Sequence, residues 1–141
     1  MNCFNKLERI NWLAPLVSRI TLGVVFIQAG WGKLGNLDRV IEYFQSLGIP
    51  ASHIQAPMVA GFELVCGALV LAGFATRIVA VPLMIIMAVA IRMVHWEGFL
   101  EFTDIFEVPD YLYMLLLFWL FVQGAGKASF DYLVRLRKSR A

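Results

Sequence analysis

Charged and amide side chains interrupt the long apolar stretches of this sequence, and they are the residues that could do chemistry. Glu63 is the one charged residue in the stretch from 56 to 75. A charged side chain at the centre of a membrane span costs about 2.5 to 3.5 kcal/mol, so a carboxylate there needs a cation. A helix rises about 1.5 Å per residue, and on that scale its candidate partners fall at a similar depth on other helices. The predicted cluster consists of Gln28, Lys33, Glu63, Arg92, His95 and Asp110.

Three interpretations of this cluster remain open on the residues alone. Ion pairs between helices stabilise a bundle without any chemistry. Polar groups that converge in apolar surroundings also bind a small polar or quinone-like ligand. A proton-coupled carrier uses an intramembrane carboxylate as well, although four helices are few for alternating access and would require an oligomer. His53 and His95 lack a metal-ligand spacing, so no metal site is predicted.

One side of the first apolar stretch combines charge with glycine. This side carries Arg19, Gly23, Phe26, Gly30 and Lys33. They are separated by four, three, four and three residues, a spacing that puts them on one face of a helix. Glycines let neighbouring helices approach closely, so this side is expected to pack against another helix. At the end of the spans opposite the cluster, the charged residues expected to pair in a structural role are Arg19, Arg77 and Asp131.

The composition indicates a membrane protein. Of 141 residues, 60% are apolar and 16% charged, and the mean hydropathy is +0.74. A net charge of +2 gives no basis for nucleic-acid binding. Cys3 and Cys66 form no C-x-x-C motif and are expected at different depths, which argues against a thiol-disulfide relay within the chain. The length suits one domain over residues 1–141.

Hydropathy and turn residues predict an all-α integral membrane four-helix bundle. Between the first two spans, one helical face carries Val40, Ile41, Phe44 and Leu47, which predicts a short amphipathic helix on the membrane surface. The predicted spans are about 14–34, 56–75, 77–95 and 110–126.

The basic residues predict an orientation. Two in the N-terminal lead, Arg77, and five in the tail account for eight of the twelve Lys and Arg residues. By the positive-inside rule both termini are cytoplasmic. The Glu63 cluster then lies on the outer side of the midplane. No ionisable group is expected on the inner half of the second and fourth spans, which favours an outward pocket over a path across the membrane.

Several motifs resemble the DoxX family of small four-span membrane proteins. They are R-I-x-L-G-x-x-F-x-x-x-G-x-x-K-L at 19–34, FQSLGIP at 44–50, ELVCGALVLAGFATR at 63–77, the stretch from Ala90 to Phe99, and GAGKASFD at 124–131. Ala125 stands where the family often has proline, and Asp110-Tyr111 where many members carry Glu-Tyr. The resemblance implies a link to thiosulfate:quinone oxidoreduction, to oxidoreductase complexes in oxidative stress, or to maturation of redox enzymes.

We therefore expect a bacterial inner-membrane subunit of a redox-linked complex, with an outward-side polar pocket for a quinone, a sulfur species or a partner. No flavin, haem or iron-sulfur motif is present, so electrons would be handled by a bound quinone or by a redox protein partner, and the chain is not expected to be catalytic alone. The alternatives are an oligomeric transporter and a scaffold without a ligand. The expected partners are lipid, a redox protein and further copies of the chain, with no nucleic acid.

Overall fold

The computed structural model describes residues 11–138, and the regular elements in that range are all helices. Three of them are long and apolar enough to cross a membrane. These are α1 (Leu13–Gly35), α3 (Ser52–Ala72) and α4 (Thr76–Ala90), which a π-helical turn extends over Ile91–His95. The remaining helices are α2 (Leu37–Ser46), α5 (Pro109–Gln123) and α6 (Phe130–Lys138), with 3-10 turns at Trp96–Gly98 and Phe102–Phe106.

The first and third predicted spans agree with α1 and extended α4 to within one residue. The second is displaced, because α3 begins at Ser52 and carries Pro57 inside the helix, whereas the sequence placed that proline at the helix start. Ala51 takes a left-handed conformation at φ 51° and begins α3 early. Gly73 ends α3 at φ 69°, where the Phe74 amide donates to the Leu69 carbonyl at 3.0 Å.

Helix α5 is shorter than the predicted fourth span, since the chain leaves the helix at Gly124 with φ 84°. Its 15 residues extend about 22 Å at 1.5 Å per residue. A bilayer core is about 30 Å thick, so crossing by α5 stays a prediction. The chain after α5 nevertheless reaches the start of α1, because a Cβ added at Gly126 would lie 3.0 Å from the Pro15 Cβ.

Helices α1 and α3 meet backbone to backbone along the predicted glycine side. A Cβ added at Gly30 would lie 2.5 Å from the Leu64 amide nitrogen, and one at Gly67 would lie 2.9 Å from that of Ile27. Helix α4 packs along α5, and α1 also contacts α5. We call this close contact the seam between α1 and α3. It leaves α1 little freedom to slide along α3.

An apolar core lies among these four helices, while other large apolar side chains face outward. Leu22, Phe26, Val70, Leu83 and Leu117 are buried. Exposed aromatic and aliphatic residues on the outer surfaces of α1, α3 and α4 are typical of helices surrounded by lipid.

The short helices α2 and α6 differ in how far the sequence predicted them. Helix α2 forms within the predicted amphipathic segment, and its placement on a membrane surface stays a prediction. Helix α6 was not predicted, since its sequence was interpreted only as a basic tail. Cys3 and the basic residues Lys6 and Arg9, on which part of the orientation argument depends, lie outside the described residues.

Candidate functional site

An ion pair between α1 and α3 lies at the centre of the candidate site. The Lys33 Nζ donates to both carboxylate oxygens of Glu63 at 2.5 Å. Glu63 is 1% exposed and Lys33 30%. The pair sits next to the close contact at Gly30, which brings the two helices near enough for the lysine to reach the carboxylate. Of the two cations expected near Glu63, Lys33 is the one in contact.

Arg92 and Gln28 are not brought to Glu63. The guanidinium of Arg92 lies 5.3 Å from the centroid of the Trp96 ring, and its side chain is exposed. Arg92 takes part neither in the Lys33–Glu63 ion pair nor in the His95–Asp110 contact. Arg92 belongs to the π-helical turn, where α-helical spacing no longer gives the direction of a side chain. Gln28 is exposed on the surface of α1.

His95 and Asp110 form a second polar contact, between the end of extended α4 and the start of α5. The His95 Nε2 lies 2.8 Å from Asp110 Oδ2, and both side chains are partly exposed. The imidazole also stacks on Phe99, with ring centroids 6.4 Å apart and planes 10° apart. The predicted cluster is thus two neighbouring pairs instead of one group around Glu63.

A cavity of about 640 Å³ opens beside the Lys33–Glu63 pair. Residues from all five helices α1 to α5 line it, and most of them are apolar. Lys33, Glu63 and Asp110 supply its charged groups, and Tyr43 and Tyr113 add aromatic rings with hydroxyls. A small number of polar groups in an apolar cavity of this size is typical of a site for a small organic molecule.

Helix α2 contributes a wall of this cavity that the sequence did not predict. Val40, Phe44 and Leu47, expected to face the membrane surface, line the cavity together with Tyr43. The apolar face was visible in the sequence. The sequence did not show what this face packs against, because the apolar face of an amphipathic helix covers a protein cavity and a lipid surface equally well.

At the other end of the molecule, Arg19 is 3% exposed and binds four backbone carbonyls. Its guanidinium donates to the carbonyls of Val70 and Leu71 at 3.1 and 2.9 Å, where α3 ends. It also donates to Ala125 and Ala128 at 2.8 Å each, in the segment after α5. One side chain therefore ties the chain after α5 to α1 and α3.

Asp131 and Arg77 also bind backbone groups, and their structural pairing with each other and with Arg19 stays a prediction. Asp131 accepts hydrogen bonds from the amides of Ala75 and Thr76 at 2.7 and 3.0 Å. Arg77 donates to the Val122 carbonyl at 2.9 Å. No ion pair joins Asp131 to either arginine within residues 11–138. Carbonyls and amides at helix ends satisfy these charges, and a sequence does not show where such groups meet.

Comparison with known proteins gives one family and several relatives. A family model described as DoxX matches residues 14–96. The uncharacterized membrane protein Rv3486 of Mycobacterium tuberculosis is 35% identical over 124 residues, which cover 80% of this chain and 76% of that protein. A Bacillus subtilis protein described as a putative oxidoreductase, CatD, is 31% identical over 119 residues, which cover 84% of this chain and 85% of CatD.

A third relative matches a shorter stretch. The inner membrane protein YqjF of Escherichia coli is 32% identical over 74 residues, or 52% of this chain and 55% of that protein. No solved structure matches the chain.

Proposed function

The chain belongs to the DoxX family, and from that premise we propose that it is a bacterial inner-membrane subunit that holds a quinone-like ligand for a redox-linked complex. Its three long apolar helices and its inner-membrane relatives support the location. The relative CatD carries an oxidoreductase name, which supports the redox part of the proposal.

The cavity beside the Lys33–Glu63 pair is the observation that carries the proposal. Its volume of about 640 Å³ lies within the range of roughly 300 to 1,000 Å³ that small-molecule sites occupy. A ring with an apolar tail suits the aliphatic and aromatic walls. Lys33 is placed to donate a hydrogen bond to a ring carbonyl, because an ammonium has three donors and Glu63 takes only some of them.

The residues assigned to the headgroup are a subset of the cluster predicted by the sequence. Arg92 and His95 do not line the cavity within the described part of the chain, whereas Lys33, Glu63 and Asp110 do. His95 acts on the site through Asp110, which it holds at 2.8 Å. The ligand headgroup therefore lies between Lys33 and Asp110, with its tail among the apolar residues of α2, α3 and α4.

A filled cavity tests this proposal without disturbing the ion pair. Ala90 lines the cavity, and Ala88, two residues away on the same helix, is exposed. We expect Ala90→Phe to lose binding of a short-chain ubiquinone or menadione, and Ala88→Phe to retain it. Quenching of tryptophan fluorescence by the quinone in detergent micelles measures binding, and thermal unfolding shows whether both variants fold.

The scaffold alternative predicts a different result. If the wild-type protein binds neither quinone, or if folded Ala90→Phe and Ala88→Phe bind equally, the cavity is not the quinone site and the ion pair only stabilises the bundle. Mass spectrometry of lipid extracted from the purified wild-type protein adds an independent measure of a bound quinone.

A further inference from the structure

We propose that α6 is an interfacial helix that binds anionic phospholipid at the end of the bundle where α3 turns into α4. This inference is independent of the cavity and of the quinone proposal. It depends on the position at which α6 is held, on the side chains that it exposes and on their charge.

The start of α6 is fixed to the end of two membrane-crossing helices. The Asp131 amide donates to the Gly73 carbonyl at 3.0 Å, and its carboxylate accepts from the amides of Ala75 and Thr76. These groups form the turn that joins α3 to α4. Because that turn lies where two spans end, α6 begins at the boundary between hydrocarbon and headgroups.

The side of α6 turned away from this attachment is apolar and exposed. Phe130 and Leu133 are each 55% exposed, and Val134 is exposed as well. Positions 130, 133, 134 and 137 fall on one face at helical spacing. Bulky apolar side chains held at a membrane boundary are stabilised by burial among acyl chains near the headgroups.

A basic charge accompanies this apolar face. Arg137 lies on the same face and borders a shallow groove of about 330 Å³ formed by Phe130, Leu133, Val134 and Leu136. Arg135 is exposed as well, on another side of the same helix. Asp131, the acidic residue of α6, is engaged by two backbone amides. An acyl chain suits the groove, and a lipid phosphate suits the arginines.

Charge complementarity selects an anionic lipid over a zwitterionic one. A basic residue close to an anionic membrane surface gains about 1 kcal/mol, and a guanidinium binds phosphate oxygens in a bidentate manner. The occupant of the groove is thus a phospholipid with a net negative headgroup, such as phosphatidylglycerol. A second copy of the chain or a separate protein is an outcome that the experiment detects.

Lipid quenching tests the proposal on the full-length protein in nanodiscs. An environment-sensitive fluorophore is attached to Val134→Cys in a Cys3→Ser background, with buried Cys66 left in place. Nitroxide-labelled phosphatidylglycerol or nitroxide-labelled phosphatidylcholine is then added to phosphatidylcholine nanodiscs. We expect phosphatidylglycerol to quench at roughly 25-fold lower content, about fivefold for each arginine, and Arg135→Gln with Arg137→Gln to remove most of that preference.

Arg39→Gln is the matched control, since Arg39 is an exposed arginine on α2 and is not part of α6. It should leave the preference for phosphatidylglycerol unchanged. Equal quenching by the two lipids, or an unchanged preference in the double variant, overturns the proposal. Absence of quenching by either lipid also overturns it, because protein then covers the face. Thermal unfolding of each variant shows that the bundle is intact.

Discussion

Glu63 and Lys33 share one ion pair but differ in what surrounds them. Both line the cavity, but Glu63 is 1% exposed, whereas Lys33 is 30% exposed. A buried charge without its partner stays uncompensated, while a partly exposed ammonium reaches water or headgroups through its flexible side chain. Substituting Lys33 and substituting Glu63 are therefore expected to lower the free energy of unfolding by different amounts.

We predict that Lys33→Met destabilises the protein more than Glu63→Gln does. Lys33→Met leaves a buried carboxylate alone, at a cost of roughly 3 to 5 kcal/mol. Glu63→Gln leaves a partly exposed lysine, at a cost of about 1 kcal/mol. Denaturant unfolding in detergent micelles measures both free energies.

A double-mutant cycle separates the Lys33–Glu63 pair from a pairing of Glu63 with Arg92, the other basic residue of the predicted cluster that carries a full charge. Lys33→Met combined with Glu63→Gln should lose less than the sum of the single losses. Arg92→Met, the control, should add independently to Glu63→Gln, since the Arg92 side chain lies over Trp96. Equal losses from the two single substitutions, or coupling between Glu63 and Arg92, would contradict the geometry described above.

The partners of Glu63 and Arg19 could be predicted from the sequence only in part. That Glu63 requires a cation follows from its isolation in an apolar span, and the depth scale identified Lys33 as one candidate. The choice between Lys33 and Arg92 depended on a π-helical turn, which shifts side-chain direction without a clear sign in the sequence. Arg19 shows the same limit, because its four acceptors are backbone carbonyls.

At the scale of elements, the seam between α1 and α3 positions the ion pair. Gly30 lies against the backbone of α3, where an added Cβ would be 2.5 Å from the Leu64 amide nitrogen and 2.7 Å from the Ala60 carbonyl oxygen. Neither atom can rotate away as a side chain would. Gly32 is on the same helix, and an added Cβ there would meet nothing within 4 Å.

We predict that Gly30→Ala destabilises the protein by about 1 to 3 kcal/mol, the usual cost of overpacking a fitted contact. Gly32→Ala, the control, should be neutral or stabilising by up to about 1 kcal/mol, because alanine favours a helix over glycine. Denaturant unfolding compares the two. A neutral Gly30→Ala would show that α1 and α3 are not in close contact at this point.

The helices that the sequence predicted are those in which one sequence signal, an apolar run or a helical spacing of apolar residues, dominates. Apolar runs identified α1, α3 and α4, and spacing identified α2. The start of α3 was missed because Ala51, a residue with no special preference for it, adopts a left-handed conformation. Helix α6 was missed because its nine residues mix apolar and basic types, and contacts with the turn after α3 hold its first residues.

On the scale of the whole molecule, two polar ends are separated by an apolar layer. One end holds the cavity and the pairs Lys33–Glu63 and His95–Asp110, and the other holds the carbonyls bound by Arg19. Leu22, Phe26 and Val70 belong to the buried core between them. A carrier would need polar groups through this layer, so the arrangement favours a pocket at one end.

The number of membrane crossings is not decided by helix length, because α5 has only 15 residues. Three crossings put the termini on opposite sides of the membrane, and four put them on the same side. Asp131 is hydrogen-bonded to the turn that joins α3 and α4, at the end of the molecule opposite the His95–Asp110 contact. We therefore predict four crossings, with α5 the fourth.

Reporter fusions test this prediction directly. Alkaline phosphatase fused at Ser46 or Asp104 should be active outside the cytoplasm, and a fluorescent protein fused at Ser139, which lies beyond the described residues, should fluoresce inside. The fusion at Asp104 fixes the side on which α5 begins, so the fusion at Ser139 reports α5 alone. A dark fluorescent-protein fusion at Ser139, together with activity of alkaline phosphatase fused at the same position, would mean that α5 returns without crossing. The contact of Asp131 with Ala75 and Thr76 would then be incompatible with the membrane-embedded protein.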